Sequence, residues 1–127
     1  MKDLLFIATA GALGSLSRYG VGLLSERWWG RHAPYGTFVV NIAGCFLLGF
    51  IMTLALSNDA FPRHYRLALT TGFLGAFTTF STFGYETMTF VEHSAWKLAA
   101  LNVAANLFVG LLAAAGGIAL AKLLLAR

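Results

Sequence analysis

The chain has 127 residues, of which 58% are hydrophobic and only 11% are charged, and its formal net charge is +4. A soluble domain is about one quarter charged, so this composition excludes an ordinary soluble protein and leaves a membrane protein. The positive excess does not point to nucleic acid, because the basic residues fall mostly at helix ends and joins, where lipid headgroups are the fitting partner.

A hydrocarbon core of about 30 Å needs roughly 20 apolar residues in a helix. Four apolar runs meet that length: Leu4–Leu24, Phe38–Ser57, Leu67–Val91 and Leu98–Leu120. They predict one all-α transmembrane domain over 1–127, with crossings at about 4–25, 35–57, 64–91 and 95–123. No soluble domain is left over. Lys2 and Ala8-Thr9-Ala10 imitate a signal peptide, but Leu4–Ile7 is too short for its apolar region and the run continues past Ala10. An uncleaved first membrane helix is expected.

Four crossings bring both termini to one side. Lys2, Arg63, Arg66, Lys122 and Arg127 then share that side, and Arg27, Arg31 and Lys97 share the other, with Arg18 between. Orientation follows the Lys/Arg difference between sides, and here the difference is small. Insertion both ways up, and an antiparallel dimer, follows naturally; one orientation with a weak bias is the alternative.

The first run carries Gly11, Gly14, Ser15, Ser17, Gly20 and Gly22, small residues that let membrane helices approach closely. Arg18 stands out among them. It is either an interfacial anchor near Ser25 and Glu26 or a fixed positive charge at an aqueous vestibule. Trp28, Trp29 and Tyr35 read as an interfacial aromatic belt, and Pro34 and Gly36 mark the entry to the second helix. Within that helix Asn41 needs hydrogen-bond partners: either a neighbouring helix, or a passing anion that takes its N–H₂ group. Cys45 is the single cysteine, so no intrachain disulfide forms, and its surroundings read as packing. The second join holds Asn58, Asp59 and Pro62 and reads as a surface loop. His32, His64 and His93 lie at joins, without zinc-type spacing.

The third run is the most informative. Gly72 and Gly75 precede hydroxyls at Thr78, Thr79, Ser81 and Thr82, with Phe80 and Phe83 among them. Such residues at membrane depth are unfavourable unless they face protein, water or an ion. They are mediocre helix formers, and a break near 75–79 is expected, exposing a carbonyl end that suits a cation and an N–H end that suits an anion. A continuous helix whose hydroxyls bond back to carbonyls one turn earlier is the alternative. Phe80 and Phe83 share a face, either as packing or with their positive ring edges turned into a narrow pore. Glu86 follows one turn later and bonds hydroxyls, pairs with a basic residue, or is protonated. In the fourth run Asn102, Asn106 and Gly110 share one face, as a polar stripe along a pore or as interhelical hydrogen bonding.

Three motifs in order, Gly11-Ala-Leu-Gly-Ser-Leu-Ser-Arg-Tyr19, Gly36-Thr-Phe-Val-Val-Asn-Ile-Ala-Gly44 and Gly72-Phe-Leu-Gly-Ala-Phe-Thr-Thr-Phe-Ser-Thr-Phe83, resemble the Fluc (CrcB) family of fluoride channels. The resemblance spans the whole chain in length and helix count. It implies an antiparallel dual-topology homodimer with two pores, in the cell membrane of a microbe (the inner membrane in bacteria), passively exporting fluoride and giving fluoride resistance. It implies a broken third helix and a structural sodium ion at the dimer centre, held by the backbone carbonyls of Gly75 and Thr78 from both copies. By motif, Phe80 and Phe83 match the pore phenylalanines, Asn41 the pore asparagine, Ser81 and Thr82 a polar track, and Arg18 the vestibule arginine. Thr37, Glu86, Asn102 and Asn106 are candidates for the rest of the track, where this chain departs from members that carry tyrosine or serine on the fourth helix.

The competing reading is a small multidrug-type exporter, also a short dual-topology four-helix dimer. It needs a buried carboxylate in the first helix, where this chain has only Asp3 at the edge. A membrane subunit without transport would not need the polar third run. No nucleophile–base pair or metal cluster suggests an enzyme.

Overall fold

The computed structural model describes residues 1–30, 34–57 and 61–126. Arg31, His32, Asn58, Asp59 and Arg127 lie outside the described residues, and with them part of both joins read from the sequence. Every regular element among the described residues is helical. Helix α1 spans Lys2–Trp29 and α2 spans Tyr35–Leu56. The next segment is in pieces: α3 (Arg63–Leu67), a π-helical stretch Ala68–Leu74, a last turn α4 (Gly75–Phe77), and then α5 (Phe80–Glu92). The final segment runs α6 (Trp96–Ala104), a second π-helical stretch Ala105–Val109, and α7 (Gly110–Leu125).

Three helices are long and apolar enough to cross a bilayer: Lys2–Trp29, Tyr35–Leu56 and Trp96–Leu125. The segment expected to cross at 64–91 is not among them, because neither half alone has the length. Its interruption is local. Thr78 (φ −86°, ψ 159°) and Thr79 (φ −150°, ψ 112°) are extended, which ends α4 and starts α5 afresh. Helix α1 stops at Gly30, whose φ of 87° is readily reached only without a Cβ. Pro34 and Pro62 stand immediately before α2 and α3, where a missing N–H costs nothing. Ser94 takes a positive φ of 57° in the turn that folds α6 back onto α5.

Seven hydrophobic residues among those described are buried, and only Val40, Leu74 and Phe77 gather into a core cluster. The leucines of α1 and α7 face outward instead, Leu5 and Leu16 at 66% exposure and Leu112 at 72%. In water that would be an aggregating surface; in a bilayer it is the ordinary exterior. Small residues bring the backbones together in place of a large core. A methyl at Gly14 would strike the Phe73 carbonyl, so α1 lies directly on the first π stretch. A methyl at Gly117 would strike the Phe46 carbonyl, and Gly110 faces Cys45 and Ile42, so α7 runs alongside α2 in the same direction. Aromatic groups mark both ends of α1: Trp28, Trp29 and Tyr35 at one, with ring centroids 5.6 and 5.5 Å apart, and Phe6, His64 and Tyr65 at the other.

Candidate functional site

Two cavities meet at the extended pair Thr78–Thr79, and Thr79 lines both. The interruption exists because side chains replace the missing helical bonds. The Thr79 N–H, which an unbroken helix would give to the Gly75 carbonyl, donates instead to Asn41 Oδ1 at 2.9 Å. Asn41 Nδ2 donates back to the Thr79 carbonyl at 3.2 Å, so one carboxamide satisfies both backbone groups. The Thr82 N–H, which would reach the Thr78 carbonyl, donates to Thr79 Oγ1 at 3.1 Å. Thr79 is thereby the N-cap of α5, the position where a hydroxyl oxygen is preferred. The carbonyls of Gly75 and Thr78 lose their usual helical donors at the C-terminal end of α4, where the helix carries partial negative charge.

The larger cavity, about 710 Å³, is walled mainly by apolar groups of α2 and α7 with Leu74, Val103 and Leu107, and Asn41, Thr70, Thr78, Thr79 and Asn106 are its polar points beside Phe80 and Phe83. The two phenyl rings are 5.5 Å apart and tilted by 49°. Phe80 is 83% exposed and covered by nothing in the single chain.

The smaller cavity, about 310 Å³, is polar and brings Arg18, Ser25, Thr37, Thr82 and Glu86 together. Thr37 Oγ1 donates to Glu86 Oε1 at 2.7 Å. Glu86 Oε2 and Ser25 Oγ are buried without a hydrogen-bond partner. Charge and hydroxyl groups from α1, α2 and α5 thus converge although they are far apart in the chain.

The sequence-derived candidates sort as follows. Asn41, Phe80, Phe83 and Asn106 line the large cavity together with Gly75 and Thr78. Arg18, Thr37, Thr82 and Glu86 line the small one. Ser81 is exposed and shares a hydrogen bond with Thr79 Oγ1 at 3.2 Å. Asn102 lines neither cavity; it is buried and donates to Thr87 Oγ1 at 3.0 Å. Both N–H groups of Asn41 are engaged, one by Thr79 and one by Asn106 Oδ1 at 3.2 Å. Thr87 was missed in the sequence and had no readable signal there. Thr79 was named only as one of a run of hydroxyls and not as a helix cap, and Ser25 only as a neighbour of Arg18.

An all-helical chain with leucine-rich outer faces and three helices long and apolar enough to cross a bilayer is a multi-pass membrane protein. A family model described as CrcB-like protein, Camphor Resistance (CrcB), matches residues 5–118, and the chain belongs to that family. It is similar to the fluoride-specific ion channel FluC of Dehalococcoides mccartyi, with 47% identity over 112 residues covering 88% of this chain and 86% of the relative. The FluC of Acidobacterium capsulatum is 44% identical over 109 residues, covering 86% and 87%. The FluC 1 of Bacillus thuringiensis subsp. konkukian is 39% identical over 129 aligned positions, covering 100% and 94%.

Proposed function

We propose that this chain is a fluoride-selective channel that lets fluoride leave the cytoplasm passively. The carrying observation is its 47% identity, across 88% of its length, to a protein named as a fluoride-specific ion channel. Passive conduction asks for no covalent chemistry, so no enzyme activity is assigned.

Fluoride is small and strongly hydrated, so a narrow dry pore has to exchange its water shell for donors without holding it too tightly. The positive edges of Phe80 and Phe83 and the hydroxyls of Ser81 and Thr82 are such groups, and Asn41 borders the same path while its carboxamide holds the interruption. Arg18 would draw anions into the smaller cavity, with Thr37 and Glu86 along the way. The two halves of the 64–91 segment together would make a fourth crossing, giving a single four-helix membrane domain over 1–127.

The exposed Phe80 ring at the interruption favours a second copy, and the small Lys/Arg difference between sides favours that copy being inserted the other way up. Lipid would cover the remaining leucine-rich faces. A sodium ion fits the same place. The Gly75 and Thr78 carbonyls lack their helical donors and sit at a helix C-terminus, and two copies would supply four such oxygens. The ion would contribute fixed positive charge beside the anion path.

The test is fluoride efflux from loaded liposomes, read with a fluoride electrode. The parent chain should release fluoride and retain chloride, and Phe80→Ile or Asn41→Asp should abolish or strongly slow release. Unchanged flux in both variants rejects the assigned pore.

A further inference from the structure

Four side chains, two of them in the lining of the large cavity, form a continuous hydrogen-bonded line. Asn41 Nδ2 donates to Asn106 Oδ1 at 3.2 Å. Asn106 Nδ2 donates to Asn102 Oδ1 at 3.1 Å and to the Asn102 carbonyl at 3.0 Å. Asn102 Nδ2 donates to Thr87 Oγ1 at 3.0 Å, and Thr87 Oγ1 donates to the Phe83 carbonyl at 2.8 Å. The line therefore leaves the interruption at Thr79, passes through α2 and across the α6–π boundary, and returns to α5 at the ring-bearing Phe83.

Its direction is determined by its ends. A carboxamide alone is ambiguous, since its oxygen and nitrogen look alike. Here one end is the Thr79 N–H, which can only donate, so the Asn41 atom facing it is oxygen. That turns the Asn41 nitrogen toward Asn106, whose facing atom must then be oxygen, and the same logic passes to Asn102 and Thr87. The other end is the Phe83 carbonyl, which can only accept. No amide in the line reverses without leaving two donors or two acceptors face to face.

We propose that Asn102 and Asn106 are positioning residues, whose one-way amide line fixes the orientation of the Asn41 carboxamide at the large cavity and ties the first turns of α5 to the interruption. Asn102 acts entirely through its neighbours, being 8% exposed and outside the cavity lining. With the line in place the Asn41 oxygen stays on the Thr79 N–H and its nitrogen on Asn106 and the Thr79 carbonyl, so the carboxamide that borders the cavity keeps one orientation. The role rests on the channel reading above, and it differs from a polar track in which Asn102 touches the ion.

The test is fluoride current across planar bilayers, because neutral hydrogen fluoride crosses lipid without carrying charge. Asn102→Leu removes both the donor and the acceptor; its current should fall at least about tenfold, the scale of one buried amide group left unpaired. Asn102→Asp discriminates further. Its protonated carboxyl offers one donor and one acceptor, as the amide does, so current should rise toward the parent's as pH falls through about 4 and drop as the group ionises above it. The parent's own profile, which includes Glu86 of α5 and Cys45 of α2, is subtracted. Circular dichroism checks folding, and if the leucine variant does not fold the aspartate series decides alone. Parent-like current in Asn102→Leu, or an aspartate variant low at every pH, overturns the positioning role while leaving the channel intact. A parent chain without fluoride current overturns both together.

Discussion

Replacing Thr79 with valine removes one oxygen and almost no volume. The residue is 6% exposed, and its Oγ1 accepts the Thr82 N–H at 3.1 Å while donating to Thr82 Oγ1 at 3.0 Å. Its pairing with Asn41 uses only backbone atoms, so valine leaves that pairing in place and isolates the cap. Losing a hydroxyl N-cap costs about 0.5–2 kcal/mol. The Ser81 and Thr82 residues are exposed and their hydroxyls are free to turn away, so they add little. A net loss of about 1–2 kcal/mol shifts the population of the ordered first turn of α5 by roughly 5- to 30-fold. That turn carries Phe80 and Phe83, so fluoride efflux from liposomes should fall by the same order. Thr79→Ser keeps the capping oxygen and should stay within about threefold of the parent. Parent-like efflux and an unchanged unfolding midpoint for the valine variant would refute the view that this hydroxyl holds the turn.

Gly14→Ala drives a methyl into the Phe73 carbonyl, with backbone on both sides, and should cost about 1–3 kcal/mol in detergent unfolding. Gly20→Ala, on the same helix but with open space around it, is the control and should be neutral. Arg18→Gln removes the guanidinium that lines the polar cavity, and should slow efflux several-fold at low salt, with the gap closing as ionic strength rises. An equal gap at every salt concentration argues against steering. Asp3→Asn breaks an ion pair of 3.8 Å between side chains 43% and 76% exposed, and no measurable change in unfolding is expected.

Much of the architecture could be read from length and apolar run, because a bilayer imposes both. Helices α1, α2 and Trp96–Leu125 fall where runs of sufficient length were found. The extended residues Thr78 and Thr79 lie inside the 75–79 window marked by glycine followed by hydroxyls, but helix persists through Gly75–Phe77. Glycine weakens a helix without ending it; the ending here comes from Asn41, some forty residues away in the chain, offering the backbone a better partner. That is why Asn41 could be recognised as polar and buried but its partner could not be named. Asn102 and Asn106 shared a face on paper, yet only packing decides that one borders a cavity and the other does not. The π stretches had no warning at all, since Ala105–Val109 reads as ordinary helix by composition.

That second π stretch bears on how the gene can tolerate changes in length. A π turn is an α-helix accommodating a surplus residue. Deleting one position within 105–109 would let the spiral close to its regular pitch, and the segment beyond would keep its face, because the wider turn had already absorbed the extra position. Deleting a position within 111–115, in regular helix, would instead turn everything beyond it by roughly 100°. Gly117, now seated on the Phe46 carbonyl, would then rotate off its partner. The surplus residue thus works as slack in the rod: a one-residue loss should be easier to accommodate inside it than a few positions later.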